Sequence, residues 1–218
     1  MATVGRRLLN PLEQWSPIVF ILAGGLALLS SSINTLDAVP GVSTQQGILV
    51  FIEGLAGFGG TLLSFVAVLG LYPILKRDAP RLARVGVGVM VLPVLFFLVE
   101  LVWLSLSGVL GLPSLTQTYL PSPMFAFGAV FFLFAVGTTI FGVIAVLTDA
   151  LSQTIGGLLI VFAMAWYLLI GGIAVYGFPI PVWLVALSGL MEGGSMLGIG
   201  YRLRNGREGM TRAEPVAG

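Results

Sequence analysis

The sequence predicts an all-α fold, a polytopic membrane protein built as a six-transmembrane-helix bundle with both termini cytoplasmic. The first observation behind this prediction is composition. The 218-residue chain is 57% hydrophobic and only 9% charged, whereas a soluble domain carries about 25% charged residues. The second is a series of apolar runs of roughly 20 residues, each long enough as a helix to cross about 30 Å of hydrocarbon. The third is the confinement of Lys and Arg to alternate connections between these runs.

The predicted spans form a single domain over residues 1–200, and a basic cytoplasmic tail follows at 201–218. Each span is apolar on all sides, which favours a helix over an outer-membrane strand, because such a strand alternates in polarity. We expect residues 1–16 to form a short polar lead. The first apolar run lacks a signal-peptide cleavage pattern, so we expect it to remain as a span. The spans are expected at about 17–36, 48–72, 84–112, 123–147, 154–177 and 182–200.

The placement of charge predicts the orientation of the bundle in the membrane. Two arginines precede the first span, and the loops 37–47 and 113–122 contain no Lys or Arg. By the positive-inside rule, both termini and the hairpin between the second and third spans are cytoplasmic, which predicts a multi-pass protein of the cell membrane. In that hairpin, Asp78 is expected to cap the third helix ahead of Pro80. The topology-determining residues are Lys76, Arg77, Arg81, Arg84, Arg202 and Arg204.

Composition and motifs also exclude classes of function. The chain has no Cys and no His, which excludes disulfides, thiolate and imidazole metal ligands, Cys nucleophiles and His general bases. The sequence contains no Walker A, dinucleotide-binding or zinc-protease motif, so we expect no enzymatic activity, no catalytic residue, no metal site and no cofactor. The net charge of +1 is too small to indicate a nucleic-acid partner. Nine Arg against one Lys suggests a GC-rich prokaryotic coding sequence.

Three glutamates lie inside predicted spans, namely Glu53, Glu100 and Glu192. A carboxyl group in the membrane costs about 2.5–3.5 kcal/mol on insertion scales, so it faces the protein interior or water and marks a candidate site. Glu100 and Glu192 fall near the midplane of their spans, whereas Glu53 falls near the outer interface. The candidate ligand- or proton-binding residues are Glu100, Glu192, Trp103, Trp166 and Tyr167.

This combination of acids and aromatic rings leaves two interpretations open. In the first, the acids and rings form a pocket that binds a cationic or amine ligand, or the acids relay protons. In the second, protonated carboxyl groups only hydrogen-bond to a carbonyl or a serine on a neighbouring helix.

Glycines at small-xxx-small spacing predict close packing between helices. Two such pairs lie in the sixth span, and two further glycines share a face of the second span with Ser64. Packing within the chain is the favoured interpretation, and a homodimer seam along the sixth span is the alternative. The expected helix-packing residues are Gly189, Gly193, Gly194, Gly198, Gly57 and Gly60.

One hairpin also resembles part of a known group of proteins. Residues 70–73, Gly-Leu-Tyr-Pro, and residues 77–83, Arg-Asp-Ala-Pro-Arg-Leu-Ala, are similar to a turn of small multi-spanning prokaryotic membrane proteins of unknown function, found in haloarchaea and actinobacteria. The resemblance is limited to the hairpin between the second and third spans. It implies a prokaryotic membrane protein and carries no activity or site residue.

For function, the sequence favours a non-catalytic membrane scaffold or accessory subunit. Its surrounding partner is the lipid bilayer, and a homo-oligomer or another membrane protein is the candidate protein partner. The alternative is a small proton- or cation-linked transporter or ligand carrier that uses Glu100 and Glu192. A Glu-to-Gln change at Glu100 would leave a scaffold intact and impair a transporter. Bulky replacement of Gly193 or Gly198 would disrupt the scaffold.

Overall fold

The computed structural model describes residues 2–36, 47–110, 123–148, 150–177 and 180–212. These residues form helices and connecting turns, and none of them lies in a β-strand, which confirms the all-α prediction. The helices are α1 (Ala2–Leu36), α2 (Ile48–Leu69), α3 (Tyr72–Asp78), α4 (Pro80–Leu110), α5 (Pro123–Leu147), α6 (Gln153–Tyr176) and α7 (Val182–Arg212).

Five helical stretches of the described chain are long and apolar enough to cross a membrane. They coincide with five of the predicted spans. The remaining predicted span forms one helix as well, since α4 has 31 residues, but membrane crossing by α4 stays a prediction. The five stretches are Trp15–Leu36, Ile48–Asp78, Gly128–Leu147, Gln153–Tyr176 and Val182–Asn205.

The hairpin predicted between the second and third spans is largely helical. The short helix α3 begins at Tyr72, with Pro73 in its first turn, and ends at Asp78. Ala79 interrupts the helix with φ −131° and ψ 66°. The next helix starts at Pro80, whose fixed φ and missing N–H suit the first helical position. The predicted capping role of Asp78 is therefore wrong, because Asp78 ends α3 and Ala79 separates it from α4.

Two helices extend beyond their predicted spans. α1 begins at Ala2 and continues through Pro17, so the segment predicted as a polar lead is helical from its second residue. α7 runs to Arg212, so the basic tail begins as a continuation of the last helix. Between α5 and α6 the turn is tight, and Ser152 caps α6 by accepting a hydrogen bond from the Ile155 N–H at 3.4 Å.

Neighbouring helices are antiparallel and pack in the spatial order α2, α1, α7, α6, α5 and α4. Close contacts at glycine show their relative heights. A Cβ added at Gly200 of α7 would lie 2.8 Å from the carbonyl oxygen of Pro17 in α1. One added at Gly142 of α5 would lie 3.0 Å from the carbonyl oxygen of Gly156 in α6. The start of α1 therefore lies beside the end of α7, and the end of α5 lies beside the start of α6.

The described Lys and Arg side chains lie at one end of the bundle, called the basic end below. A Cβ at Gly198 would lie 3.0 Å from Leu158 of α6, and one at Gly86 of α4 would lie 2.8 Å from Phe141 of α5. The starts of α4 and α6 are thus level with the end of α7. The basic side chains that the structure describes are all exposed, and they are Lys76, Arg77, Arg81, Arg84, Arg202 and Arg204.

Exposed aromatic residues mark both ends of the bundle. Trp15 and Tyr201 lie near the basic end, and Tyr176 and Trp183 lie near the opposite end. Along α6, the rise of about 1.5 Å per residue places Tyr176 about 30 Å from Gly156. This separation matches the thickness of the hydrocarbon layer, at whose edges Trp and Tyr are enriched.

The half of the bundle next to the basic end has a solid core and is called the packed half below. Three rings form its centre, Phe65 of α2, Phe134 of α5 and Phe162 of α6, and each is at most 1% exposed. The Phe134 ring meets the other two edge-on, with centroid distances of 4.2 Å to Phe65 and 5.7 Å to Phe162. Phe20 of α1 and Met196 of α7 belong to the same buried cluster. Phe65, Phe134 and Phe162 together are called the aromatic trio below.

Candidate ligand-binding site

A cavity of about 400 Å³ lies among α1, α2, α5, α6 and α7, in the half of the bundle farther from the basic end. We call this region the cavity half. The described lining residues on α5 and α6 are Phe131, Trp166 and Leu169. Phe131 is one helical turn from Phe134, and Trp166 is one turn from Phe162, both toward the opposite end. The aromatic trio therefore lies directly between the cavity and the basic end.

The α1 wall of the cavity is polar. Ala27, Ser30, Ser31 and Asn34 line it, and their i, i+3, i+4, i+7 spacing puts them on one face of the helix. Small residues on the neighbouring helices make room for the hydroxyls, since a Cβ added at Gly57 of α2 would lie 3.0 Å from Ser30 Oγ. This face of α1 therefore presents two hydroxyls and an amide to one space.

The α7 wall repeats the same spacing with Val185, Ser188, Gly189 and Glu192. Ser31 Oγ of α1 donates a hydrogen bond to the Val185 carbonyl oxygen at 3.2 Å, and Ser188 Oγ donates to the same oxygen at 3.0 Å. Each hydroxyl thereby uses its proton and keeps its lone pairs free to accept a hydrogen bond. The α1 and α7 walls are thus joined by polar contacts beside the cavity.

Glu192 is the only acid among the described lining residues. Its side chain is half-buried, and no described residue pairs with its carboxyl group through a hydrogen bond or an ion pair. The backbone carbonyl of Glu192 does accept a hydrogen bond, from Ser195 Oγ at 2.9 Å. Within the described residues, the carboxyl group of Glu192 therefore lacks the protein partner that a purely structural role requires.

The aromatic wall consists of Phe131 and Trp166. Their rings stack with centroids 4.2 Å apart and planes 9° from parallel. Trp166 is 5% exposed, and its indole Nε1 has no hydrogen-bond partner among the described residues. A buried N–H of this kind costs about 1–3 kcal/mol if it stays unsatisfied. The lining of the cavity therefore combines aromatic rings with a carboxyl group and hydroxyls.

The structure brings together only part of the predicted site. Glu192 and Trp166 line the same cavity. Tyr167 does not line it, and its hydroxyl lies 3.2 Å from Thr139 Oγ1 on α5. Trp103 is half-buried on α4 and is absent from the described lining. Glu100 also lies on α4, and its side chain is outside the described residues.

Several lining residues were not predicted from the sequence, although a signal for them exists. Ser30, Ser31 and Asn34 belong to a polar run, Ser-Ser-Ser-Ile-Asn, inside an otherwise apolar span. Thr61 of α2 also lines the cavity, and its hydroxyl donates to the Gly57 carbonyl oxygen at 2.8 Å. Because polar side chains in a span avoid lipid, the polar run marks the interior face of α1.

The expected packing glycines fall into two groups. Gly57 and Gly60 of α2 contact α1, as do Gly189 and Gly193 of α7, and Gly198 contacts α6. Gly194 differs, because it is exposed and a Cβ added there would meet nothing within 4 Å. Among the described residues, then, Gly194 has no close helix contact, and its packing role stays a prediction.

Comparison of the chain with protein-family models, with curated proteins and with solved structures finds no match. The cavity and the distribution of charge along the chain are therefore the features that indicate a function.

Proposed function

We propose that this chain is a six-span protein of the cytoplasmic membrane that binds a small molecule in its cavity and acts as a carrier for it. Five apolar helices support the membrane assignment, and α4 would supply the sixth span. The observation that carries the proposal is a polar cavity whose carboxyl group has no counter-charge among the described residues. This favours the carrier over the scaffold that the sequence alone suggested.

Size and shape support a small ligand. A volume of about 400 Å³ falls within the roughly 300–1,000 Å³ of small-molecule sites, which typically combine apolar walls with a few polar groups. Such groups are costly to place within a membrane, and they persist where they serve binding or transport. The cavity half matches this description, whereas the centre of the packed half is occupied by the buried rings of the aromatic trio.

Orientation follows from the basic end. The positive-inside rule places the exposed Lys and Arg side chains at the cytoplasmic surface, so both termini are cytoplasmic and the cavity lies in the outer half of the membrane. The aromatic trio then separates the cavity from the cytoplasm. In this state the carrier would accept its ligand from the non-cytoplasmic side.

Single cysteines test this arrangement, because the chain contains no Cys of its own. We expect Ser30→Cys, in the cavity wall, to react with a membrane-impermeant maleimide added to the outer side of oriented vesicles. Ser64→Cys is the matched control, because Ser64 is 0% exposed within the packed half and should react only after denaturation. Asn205→Cys, exposed at the basic end, should react only from the cytoplasmic side.

Each alternative result has a defined meaning. If Ser30→Cys is as unreactive as Ser64→Cys from both sides, water does not reach the cavity and the carrier proposal fails. If Ser30→Cys reacts only from the cytoplasmic side, the proposed orientation fails.

A further inference from the structure

We infer that the ligand of this cavity is a small organic cation, an ammonium compound with a hydroxyl group a short distance from the nitrogen. The inference rests on the proposed function and specifies its ligand. It assigns the ammonium group to Glu192 and to the aromatic wall of Phe131 and Trp166. It assigns the hydroxyl to Ser30 and Ser188.

The distribution of charge along the sequence favours a cationic ligand. The whole sequence has no Lys or Arg between Arg7 and Lys76, and none between Arg84 and Arg202. Those two intervals contain every described lining residue of the cavity. No described basic side chain therefore lies in the cavity half to attract an anion. The same intervals contain Glu53 and Glu192, whose charges repel anions and attract cations.

Acids of the cavity half reinforce one another in sign. Glu53 lies on α2 one turn beyond Gly57, toward the end opposite the basic end, and is half-buried. Glu100 lies on α4, about 20 Å along the helix from Gly86 and so in the same half. A cation that enters from this side would meet negative charge throughout, and binding beside Glu192 would neutralise a charge that the described protein leaves unpaired.

The residues beside Glu192 suit an organic cation better than a metal ion. Calcium takes six to eight oxygen ligands, and magnesium demands a near-octahedral oxygen shell. The described residues contain no group of three or more acids able to hold a metal, and the wall beside Glu192 is aromatic. Aromatic rings attract ammonium groups, and recognition of quaternary ammonium ions commonly uses such rings. A ring pair beside one carboxylate therefore suits a weakly hydrated organic cation.

Two serines near Glu192 can accept a hydrogen bond from the hydroxyl group of the ligand or donate one to it. Ser188 is one turn from Glu192 on the same face of α7, which is about 6 Å along the helix axis. Its proton is already donated to the Val185 carbonyl oxygen, so Ser188 Oγ is left as an acceptor. Ser30, on the facing wall of α1, has no hydrogen-bond partner among the described residues. A ligand hydroxyl near the ammonium group would reach this pair.

Three probes of nearly equal size separate these contributions. Choline carries both the quaternary ammonium and the hydroxyl. The alcohol 3,3-dimethylbutan-1-ol replaces its nitrogen with carbon, and ethyltrimethylammonium lacks the hydroxyl. Binding would be followed in lipid nanodiscs by the emission of Trp166, after Trp15, Trp103 and Trp183 have been replaced by Phe. Ethanolamine and a tertiary analogue extend the cation series.

We expect choline to quench Trp166 emission saturably and to bind about tenfold or more tightly than its uncharged isostere. Glu192→Gln should remove this preference without weakening the isostere, and Glu192→Asp should retain it. Asp78→Asn, which removes a carboxylate exposed at the basic end, is the matched control and should change choline affinity by less than about threefold. Ser30→Ala combined with Ser188→Ala should weaken choline and leave ethyltrimethylammonium unchanged.

The contrary outcomes separate this inference from the proposed function. If the uncharged isostere binds as well as choline, or if Glu192→Gln has no effect, the cation assignment is overturned while the carrier stands. The same holds if no ammonium probe binds although Ser30→Cys reacts with maleimide from the outer side. If Ser30→Cys is also unreactive, the carrier itself has failed. If Glu192→Gln has the same thermal unfolding temperature as the wild type, misfolding is excluded as the cause of lost binding.

Discussion

The packed half and the cavity half are built from the same helices, and they differ in the side chains that face inward. On α1, Phe20 fills the packed half, whereas Ser30 and Asn34 line the cavity half. On α7, Met196 is fully buried in the packed half, and Glu192, one turn closer to the start of the helix, lines the cavity. The backbones continue in register through both halves. The change from large apolar to small polar side chains therefore creates the cavity, without any break in the helices.

This comparison shows how one bundle of helices can contain a packed core beside a cavity. In lipid, helix association depends on van der Waals packing, because the lipid tails are as apolar as the core. The aromatic trio supplies that packing in one half, and close glycine contacts between α1 and α7 continue it into the other. The cavity half can then place polar groups around a space without supporting the fold alone.

Removing bulk from the packed half should have the largest effect. Phe134→Ala deletes a 0% exposed ring that contacts both other members of the aromatic trio, and should lower the free energy of unfolding by about 3–5 kcal/mol. Denaturant unfolding in mixed micelles, followed by circular dichroism, measures the change. Phe132→Ala on the outer face, where the ring is 48% exposed, is the control and should cost much less. Equal losses from the two variants would show that the trio is not a core.

Added side-chain bulk should have the second-largest effect on stability, and the effect should differ between the two halves. Ala163 is 0% exposed in the packed half, and Ala163→Leu should cost about 1–3 kcal/mol of unfolding free energy through overpacking. Ala27→Leu projects the same added atoms into the cavity wall and should change stability by less than about 0.5 kcal/mol. The same unfolding titration compares them. A cost for Ala27→Leu as large as that for Ala163→Leu would mean that the cavity is already filled in the folded protein.

The boundary between the halves predicts the smallest effect. A Cβ at Gly193 would lie 2.9 Å from the Gly24 carbonyl oxygen, so Gly193→Ala should separate α1 from α7 slightly and cost about 1 kcal/mol. Gly194→Ala meets nothing within 4 Å and should be neutral, or stabilising by up to about 1 kcal/mol, because Ala favours the helix. Unfolding temperatures of the two neighbouring variants test this. A loss confined to Gly194→Ala would instead indicate packing against a second copy along the exposed face of α7.

The sequence predicted the helices better than their mutual contacts. Apolar length placed α5 and α6 within about a residue of their ends, because the membrane selects span length directly. It failed at the start of the chain, where residues 1–16 were predicted as a polar lead, since α1 begins at Ala2 and continues through Pro17. It also missed α3, because the charged hairpin carries no apolar run. Length and hydropathy report where a helix crosses, and they do not report which helix lies beside it.

The candidate site shows the same limit in its side chains. Depth along the helix grouped Glu192 with Trp166, and the structure places both in the lining of one cavity. Depth also suggested Tyr167, but successive residues on a helix point about 100° apart. Tyr167 therefore lies on another face of α6, where its hydroxyl contacts Thr139 of α5. The rotation of each helix about its axis depends on contacts with its neighbours, which a single sequence does not contain.

The position of the aromatic trio determines where an electric potential across the membrane would fall. In the proposed orientation, water that fills the cavity conducts, so the potential would drop across the packed half instead. The free energy of one elementary charge changes by about 2.3 kcal/mol per 100 mV when it crosses the full potential. A cation travelling from the outer solution to Glu192 would cross little of that drop, so its affinity would hardly depend on voltage. Almost all of the electrical work would belong to the later step past Phe65, Phe134 and Phe162 to the cytoplasm.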